Sequence, residues 1–177
     1  MFRRLRGLFQ RSPTPLVAAT PTEQDEAMMR RALALADQAS ARGEVPVGAV
    51  VYETATGTIL AQAANTREGD RDPAGHAEFL AITQACKARR DWRLNDCSLA
   101  VTLEPCPMCA GLVVNARVGR LVYAAPDPKA GAVRSLFQIA DDPRLNHRCE
   151  IIPGLLAAEA SQRLTTFFRA LRQRPRA

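Results

Sequence analysis

The sequence predicts an α/β layered domain, a mixed sheet of about five strands with helices on both faces. Three observations predict it. Stretches with apolar residues at helical spacing alternate with short strand-like apolar runs. The first two such runs are joined by a turn-like segment, which makes an antiparallel hairpin. The later runs are separated by helical stretches, the crossovers that parallel strands need.

The elements follow in order. Pro13, Pro15 and Pro21 among Ser and Thr read as a linker, so 1–21 is expected to be a basic arm and Pro-rich linker. The domain is expected over 22–174, with 175–177 as a tail. Thr22 and Asp25 resemble a capping box. Met28, Ala32, Leu35 and Ala39 then recur at helical spacing, and Gly43 closes that helix. Residues 47–52 and 58–63 read as strands, with 53–57 as their turn. The polar stretch 65–75, with Gly69, Asp70, Asp72 and Pro73, reads as a loop. Residues 76–90 contain no Gly or Pro and read as the second helix. A strand over 98–103 precedes a third helix over 106–116, started near Pro105 and Pro107. Residues 120–125 form another strand. The stretch 127–147 is expected to be irregular, with a short helix around Leu136. A last strand over 148–152 leads into a final helix over 155–174.

Composition excludes several classes. The chain has 177 residues and room for one domain with a sizeable core. No stretch approaches the roughly 20 apolar residues of a membrane helix. The first twelve residues lack the apolar run of a secretory signal. The expected compartment is the cytoplasm; an organelle is the alternative if the Arg-rich start is a transit peptide. Five cysteines, an odd number, argue against a disulfide framework. The net charge of +6 is unevenly spread. Arg3, Arg4, Arg6 and Arg11 lie at one end, and Arg163, Arg169, Arg172, Arg174 and Arg176 at the other. All 18 acidic residues lie between Glu23 and Glu159, so the body is near neutral and both ends are basic. Such ends attract a polyanion, or serve only as solvated tails.

The chemistry concentrates in two short segments. Cys106-Pro107-Met108-Cys109 places two thiols on one face of a helix start, where the helix dipole favours thiolates. Two thiolates do not complete a tetrahedral zinc site. His76 opens the preceding helix in the same way and is the natural third ligand. Three protein ligands leave a fourth position for water, as in catalytic zinc sites. Zinc lowers the pKa of such a water towards about 7. Glu78, two residues after His76, is then placed to take the water's proton and return it to a leaving amine. His76-Ala77-Glu78 followed by Pro105-Cys106-Pro107-Met108-Cys109 is the known signature of zinc nucleobase deaminases. Cys86, Cys97 and Cys149 read as core residues, and Trp92 as a packing residue. His147, in a polar loop, reads either as a surface or substrate contact or as a structural cap.

The sequence resembles the bacterial tRNA-specific adenosine deaminases, within the cytidine/deoxycytidylate deaminase superfamily, from about Asp25 to Arg172. The resemblance rests on Glu44-Val-Pro-Val-Gly-Ala-Val50, Asp72-Pro-Ala-Gly-His-Ala-Glu78 and Val101-Thr-Leu-Glu-Pro-Cys-Pro-Met-Cys-Ala-Gly111. Asp127-Pro-Lys-Ala-Gly131, Ser135-Leu136, Asn146-His-Arg148 and Phe167-Phe-Arg169 extend it towards the tRNA enzymes. It implies a three-layer cytidine-deaminase-like fold, one zinc ion per subunit on His76, Cys106 and Cys109, and Glu78 as proton shuttle. It implies hydrolysis of the wobble adenosine of a tRNA anticodon to inosine, and a homodimer. Asn65 matches the asparagine that contacts the nucleoside, and Val47 with a Gly48-Ala49 turn would line the base pocket. Asp127, Lys129, Asn146, His147, Phe168 and Arg169 would lie near the anticodon stem-loop. Pro126 and Pro128 flank Asp127 and stiffen that segment. Two other readings stay open: a deaminase of a free base or nucleoside of guanine or cytosine type, and a non-catalytic zinc-stabilised subunit.

Overall fold

The structure is a computed structural model that describes residues 19–173. The basic arm and tail expected at the two ends lie outside the described residues, apart from 19–21. The elements are α1 (Glu23–Ala41), β1 (Gly48–Glu53), β2 (Ile59–Ala64), α2 (Ala77–Arg89), β3 (Cys97–Leu103), α3 (Pro107–Asn115), β4 (Arg120–Ala125), β5 (Glu150–Pro153) and α4 (Ala157–Gln173).

The five strands form one sheet in the order β2-β1-β3-β4-β5. β1 is antiparallel to both β2 and β3, while β3, β4 and β5 run parallel. β2 therefore runs in the same direction as β3. The exits of β2, β3 and β4 open at one end of the sheet, and the connections to α2 and α3 leave from there. This topology brings two distant sequence motifs to one corner.

Strand alternation builds the three layers. Along β1, Ala49 and Val51 join one buried cluster while Val50 and Tyr52 join the other. Leu121 and Tyr123 of β4 face the first cluster, Val122 and Ala124 the second. The first is closed by Ala77, Ala81, Ile82 and Ala85 of α2 and Val113 of α3. The second is closed by Met29, Ala32, Leu33, Leu35 and Ala39 of α1 and Ala160 of α4. A sheet covered on both faces requires nearly continuous apolar strands, as these are.

α1 begins with the expected capping box between Thr22 and Asp25. The hairpin turn closes through Gly57, which adopts φ 75°. Gly48 and Ala49 are not a turn but the first residues of β1. A Cβ on Gly48 would stand 2.1 Å from the Ala32 carbonyl oxygen, so this strand packs on α1 by having no side chain there. The short helix expected around Leu136 does not form: residues 126–149 hold turns and bends without helix or strand. The reason is a long-range contact. The backbone N–H groups of Val133, Arg134 and Ser135 donate to the Glu104 carboxylate and are not free for helical bonds. Trp92 is no packing residue either. It is 50% exposed, with the Arg93 guanidinium 4.0 Å over its ring. Cys97 and Cys149 are buried, and Cys86 is half-buried.

Candidate metal centre and active site

His76 is the N-cap of α2 and Cys106 the N-cap of α3. Each sits just before its helix rather than as its first residue. Pro107 follows Cys106 at the start of α3, where its missing N–H costs nothing. Cys109 is in the first turn of the same helix and fully buried.

His76 Nδ1 lies 3.6 Å from the Sγ atoms of both Cys106 and Cys109. The three ligand atoms all lie within 4.8 Å of one another. Zinc binds sulfur at about 2.3 Å and nitrogen at about 2.0–2.1 Å, so neighbouring N and S corners of its tetrahedron are about 3.6 Å apart. The donor set and its spacing fit zinc. The cluster also favours charge separation. The Cys106 thiol is held down to about 4 by its hydrogen bond with Cys109, with His76 adding to it. The same bond and burial push Cys109 up. His76 is raised, first by its hydrogen bond with Cys106.

Glu78 lies in the first turn of α2 and is 4% exposed. Burial pushes its carboxyl up. Glu78, His76 and Cys106 line a cavity of ≈ 650 Å³. Val47 and Asn65 form another part of the wall, joined by a bond from the Asn65 N–H to the Val47 carbonyl. Asp127, Lys129 and Phe168 are also on the wall.

Other expected residues are placed elsewhere. Gly48 faces α1, and Ala49 is buried in the core beside Ala77. Arg169 is exposed on α4 and does not line the cavity. Asn146 accepts a bond from Arg117, and the His147 ring bonds the Val118 carbonyl. Both residues thus lie at the entry end of β4 and β5, opposite the cavity.

Two buried carboxylates carry roles that sequence reasoning missed. Glu104, 2% exposed, accepts from the backbone of Asp127, Val133, Arg134 and Ser135 and from the Ser135 hydroxyl. It ties the cavity wall to the turn that carries Cys106. Burial opposes its ionisation, but these bonds outweigh it and hold the carboxyl below its usual range. Glu44, 3% exposed, accepts from Asn65, Glu68 and Gly69. Both stand inside matched motifs, next to apolar strand residues. An acid in such a place signals a buried partner set. Arg67, Leu164 and Arg172 also line the cavity and were not foreseen.

Residues 22–125 match the cytidine and deoxycytidylate deaminase zinc-binding region. The chain belongs to this deaminase family. Its zinc-binding region and the His76-Cys106-Cys109 cluster together make zinc the cofactor of the deaminase domain. A tRNA-specific adenosine deaminase of Bacillus subtilis is 46% identical over 154 residues, 87% of this deaminase and 94% of the relative. One of Haemophilus influenzae is 46% identical over 156 residues, 88% of this chain and 90% of the relative. Solved structures agree on the fold. One, from work on A-to-I editing by tRNA:A34 deaminases at the wobble position, matches with TM-score 0.73 and 39% identity. It covers 78% of this deaminase and 99% of the other chain. Guanine deaminase from Nitrosomonas europaea matches with TM-score 0.68 and 28% identity, covering 86% of each chain.

Proposed function

We propose that this deaminase hydrolyses the wobble adenosine of a tRNA anticodon to inosine, releasing ammonia. The observation that carries the reading is 46% identity over 94% of a tRNA-specific adenosine deaminase. The guanine deaminase likeness stands at 28%.

His76, Cys106 and Cys109 are the zinc ligands in this reading. Bound zinc supplies the Lewis acidity that makes water a nucleophile at neutral pH. Glu78 takes a proton from that water and delivers one to the leaving amine. Its burial suits the task, because desolvation pushes the carboxyl up and makes it a readier proton acceptor than an exposed glutamate. Asn65 and Val47 hold the nucleoside. A wobble adenosine is single-stranded already, so splaying it into the cavity costs little unpairing energy. Phe168 offers an aromatic face for a neighbouring base, and Lys129 and Arg172 offer charge to phosphates.

Two further parts of the reading are a homodimer and a cytoplasmic location. The homodimer is read from the resemblance and is checked by sedimentation equilibrium. None of the helices among the described residues is long and apolar enough to cross a membrane.

The deciding experiment incubates zinc-loaded protein with an anticodon stem-loop carrying a wobble adenosine. Free adenosine, guanine, cytosine and cytidine are run beside it, and products are read by mass spectrometry. Inosine in the stem-loop is the expected product. Turnover of a free base with the stem-loop untouched would reassign the substrate.

A further inference from the structure

Glu44 belongs to the segment between α1 and β1, outside the metal corner. Its carboxylate is 3% exposed and fully engaged. Oε2 accepts from the Asn65 side-chain amide at 3.1 Å and from the Glu68 backbone N–H at 3.1 Å. Oε1 accepts from the Gly69 backbone N–H at 2.6 Å. Asn65 is itself 5% exposed and lines the cavity.

The chemistry of this contact is one-sided. An ionised carboxylate only accepts, whereas an amide has one accepting and one donating end. Asn65 can therefore face Glu44 only with its nitrogen. Turned over, it would set its carbonyl oxygen against a carboxylate oxygen at hydrogen-bond distance, with both buried. The backbone bonds from Glu68 and Gly69 hold Glu44 so that it does not follow the amide. The carbonyl end of Asn65 is turned away from Glu44.

We propose that Glu44 is a positioning residue that sets the polarity Asn65 offers to the substrate. It determines which end of the amide meets the bound nucleoside, and so which pattern of donors and acceptors the cavity selects. The inference rests on the reading of this cavity as a nucleoside site.

Glu44→Gln tests it with little change of shape. Glutamine keeps one acceptor, which the short Gly69 contact favours, and turns its NH₂ towards Asn65, giving up the bond from the Glu68 N–H. The Asn65 amide then has reason to turn over. Asn65→Asp sets two carboxylates face to face. The double variant Glu44→Gln/Asn65→Asp restores a donor–acceptor pair and keeps an oxygen for the substrate.

The measurements are steady-state kcat and KM on the stem-loop, zinc content and urea unfolding, all on the full chain. Expected is a loss on the order of 10²-fold in kcat/KM for Glu44→Gln, since misplaced contact groups cost about that much, with zinc and unfolding midpoint retained. The double variant should be more active than either single one. A role limited to holding the Glu68–Gly69 backbone would not be rescued by changing Asn65. Wild-type kinetics in Glu44→Gln, or a double-variant loss equal to the product of the single losses, would overturn the proposal. If Asn65→Asp fails to fold, a folded double variant supports the pairing and an unfolded one overturns it. Wild-type protein that ignores the stem-loop but turns over a free base removes the tRNA reading alone. The same variants are then read on that base.

Discussion

The two ends of the sheet are built from similar residue types and do opposite things. At the exit end of β2, β3 and β4, polar groups converge on a cavity. His76, Cys106, Cys109 and Glu78 are held by helix starts, and Asn65 is held by Glu44. At the other end, polar groups satisfy one another. Asp25 accepts from the Tyr52 hydroxyl at 2.6 Å and from Arg120 at 2.7 Å, and Arg120 also pairs with Glu150. Arg89 pairs with Asp96, Arg117 bonds Asn146, and His147 bonds the Val118 carbonyl. One end leaves its chemistry open to a ligand and the other closes it into struts. Ligands of open α/β sheets gather at strand exits for the same reason, because the connections diverge there and leave a crevice.

The comparison predicts that changes at the open end cost activity without stability, and changes at the closed end the reverse. Glu78→Gln should produce the largest effect, a loss of about 10²–10⁴-fold in turnover of the stem-loop. Zinc content and unfolding midpoint should stay at wild-type values. Cys106→Ala should instead lower bound zinc, read by metal analysis; full zinc occupancy would remove it from the ligand set.

Asp25→Ala makes the mirror test. It removes the buried one of Arg120's two carboxylate partners, leaving Glu150, and takes away the acceptor of the Tyr52 hydroxyl. Leaving the buried Tyr52 hydroxyl without its acceptor costs about 1–3 kcal/mol, which urea unfolding would register. Turnover per folded molecule should not change, and a selective loss of activity would break the contrast between the ends. The same variant carries a pH signature. Burial raises the Asp25 carboxyl, but bonds from Tyr52 and Thr22 and the charge of Arg120 outweigh it, so its pKa falls below 3.8. Its stabilisation is therefore complete above about pH 4 and is lost as pH drops through the lowered value. The stability gap between wild type and Asp25→Ala should narrow as the solution is acidified through that range.

Smaller effects sharpen the contrast. Lys129→Ala and Arg172→Ala, on the cavity wall, should raise KM for the stem-loop and leave kcat nearly unchanged. Each should flatten the dependence of log affinity on log salt by about 1 unit if it meets a phosphate. Arg117→Ala at the closed end should leave that slope alone, and a flattened slope there would extend the RNA surface to both ends. The smallest change belongs to Trp92→Ala. This side chain is 50% exposed, so thermal unfolding should stay within about 0.5 kcal/mol of wild type.

Legibility follows how local each signal is. Thr22 and Asp25 announce the α1 capping box because all its partners lie within one turn. His76-Ala77-Glu78 and Cys106 to Cys109 are equally local, and each marks a helix start. The stretch 126–149 misleads because its backbone is organised by Glu104, which is distant in sequence. Trp92 misleads because aromatic residues usually bury, whereas this one lies against Arg93 in solvent. Asn146 and His147 resemble the tRNA enzymes in sequence, but resemblance does not say at which end of the sheet a loop turns.

The sequence by itself determined the layered α/β class, the order of the five strands and four long helices, the zinc-type donor set and the membership of a deaminase family. Those depend on residue type, periodicity and spacing along the chain, all of them short-range properties. Only the tertiary structure decided that His76 stands 3.6 Å from both cysteines and that Glu44 faces the amide of Asn65. It also decided that Glu104 gathers the wall of the cavity and that Asn146 and His147 lie at the far end. These are contacts between segments tens of residues apart. They exist because β2, β3, β4 and β5 all run the same way and β1 runs against them, and strand direction is a property of the whole sheet.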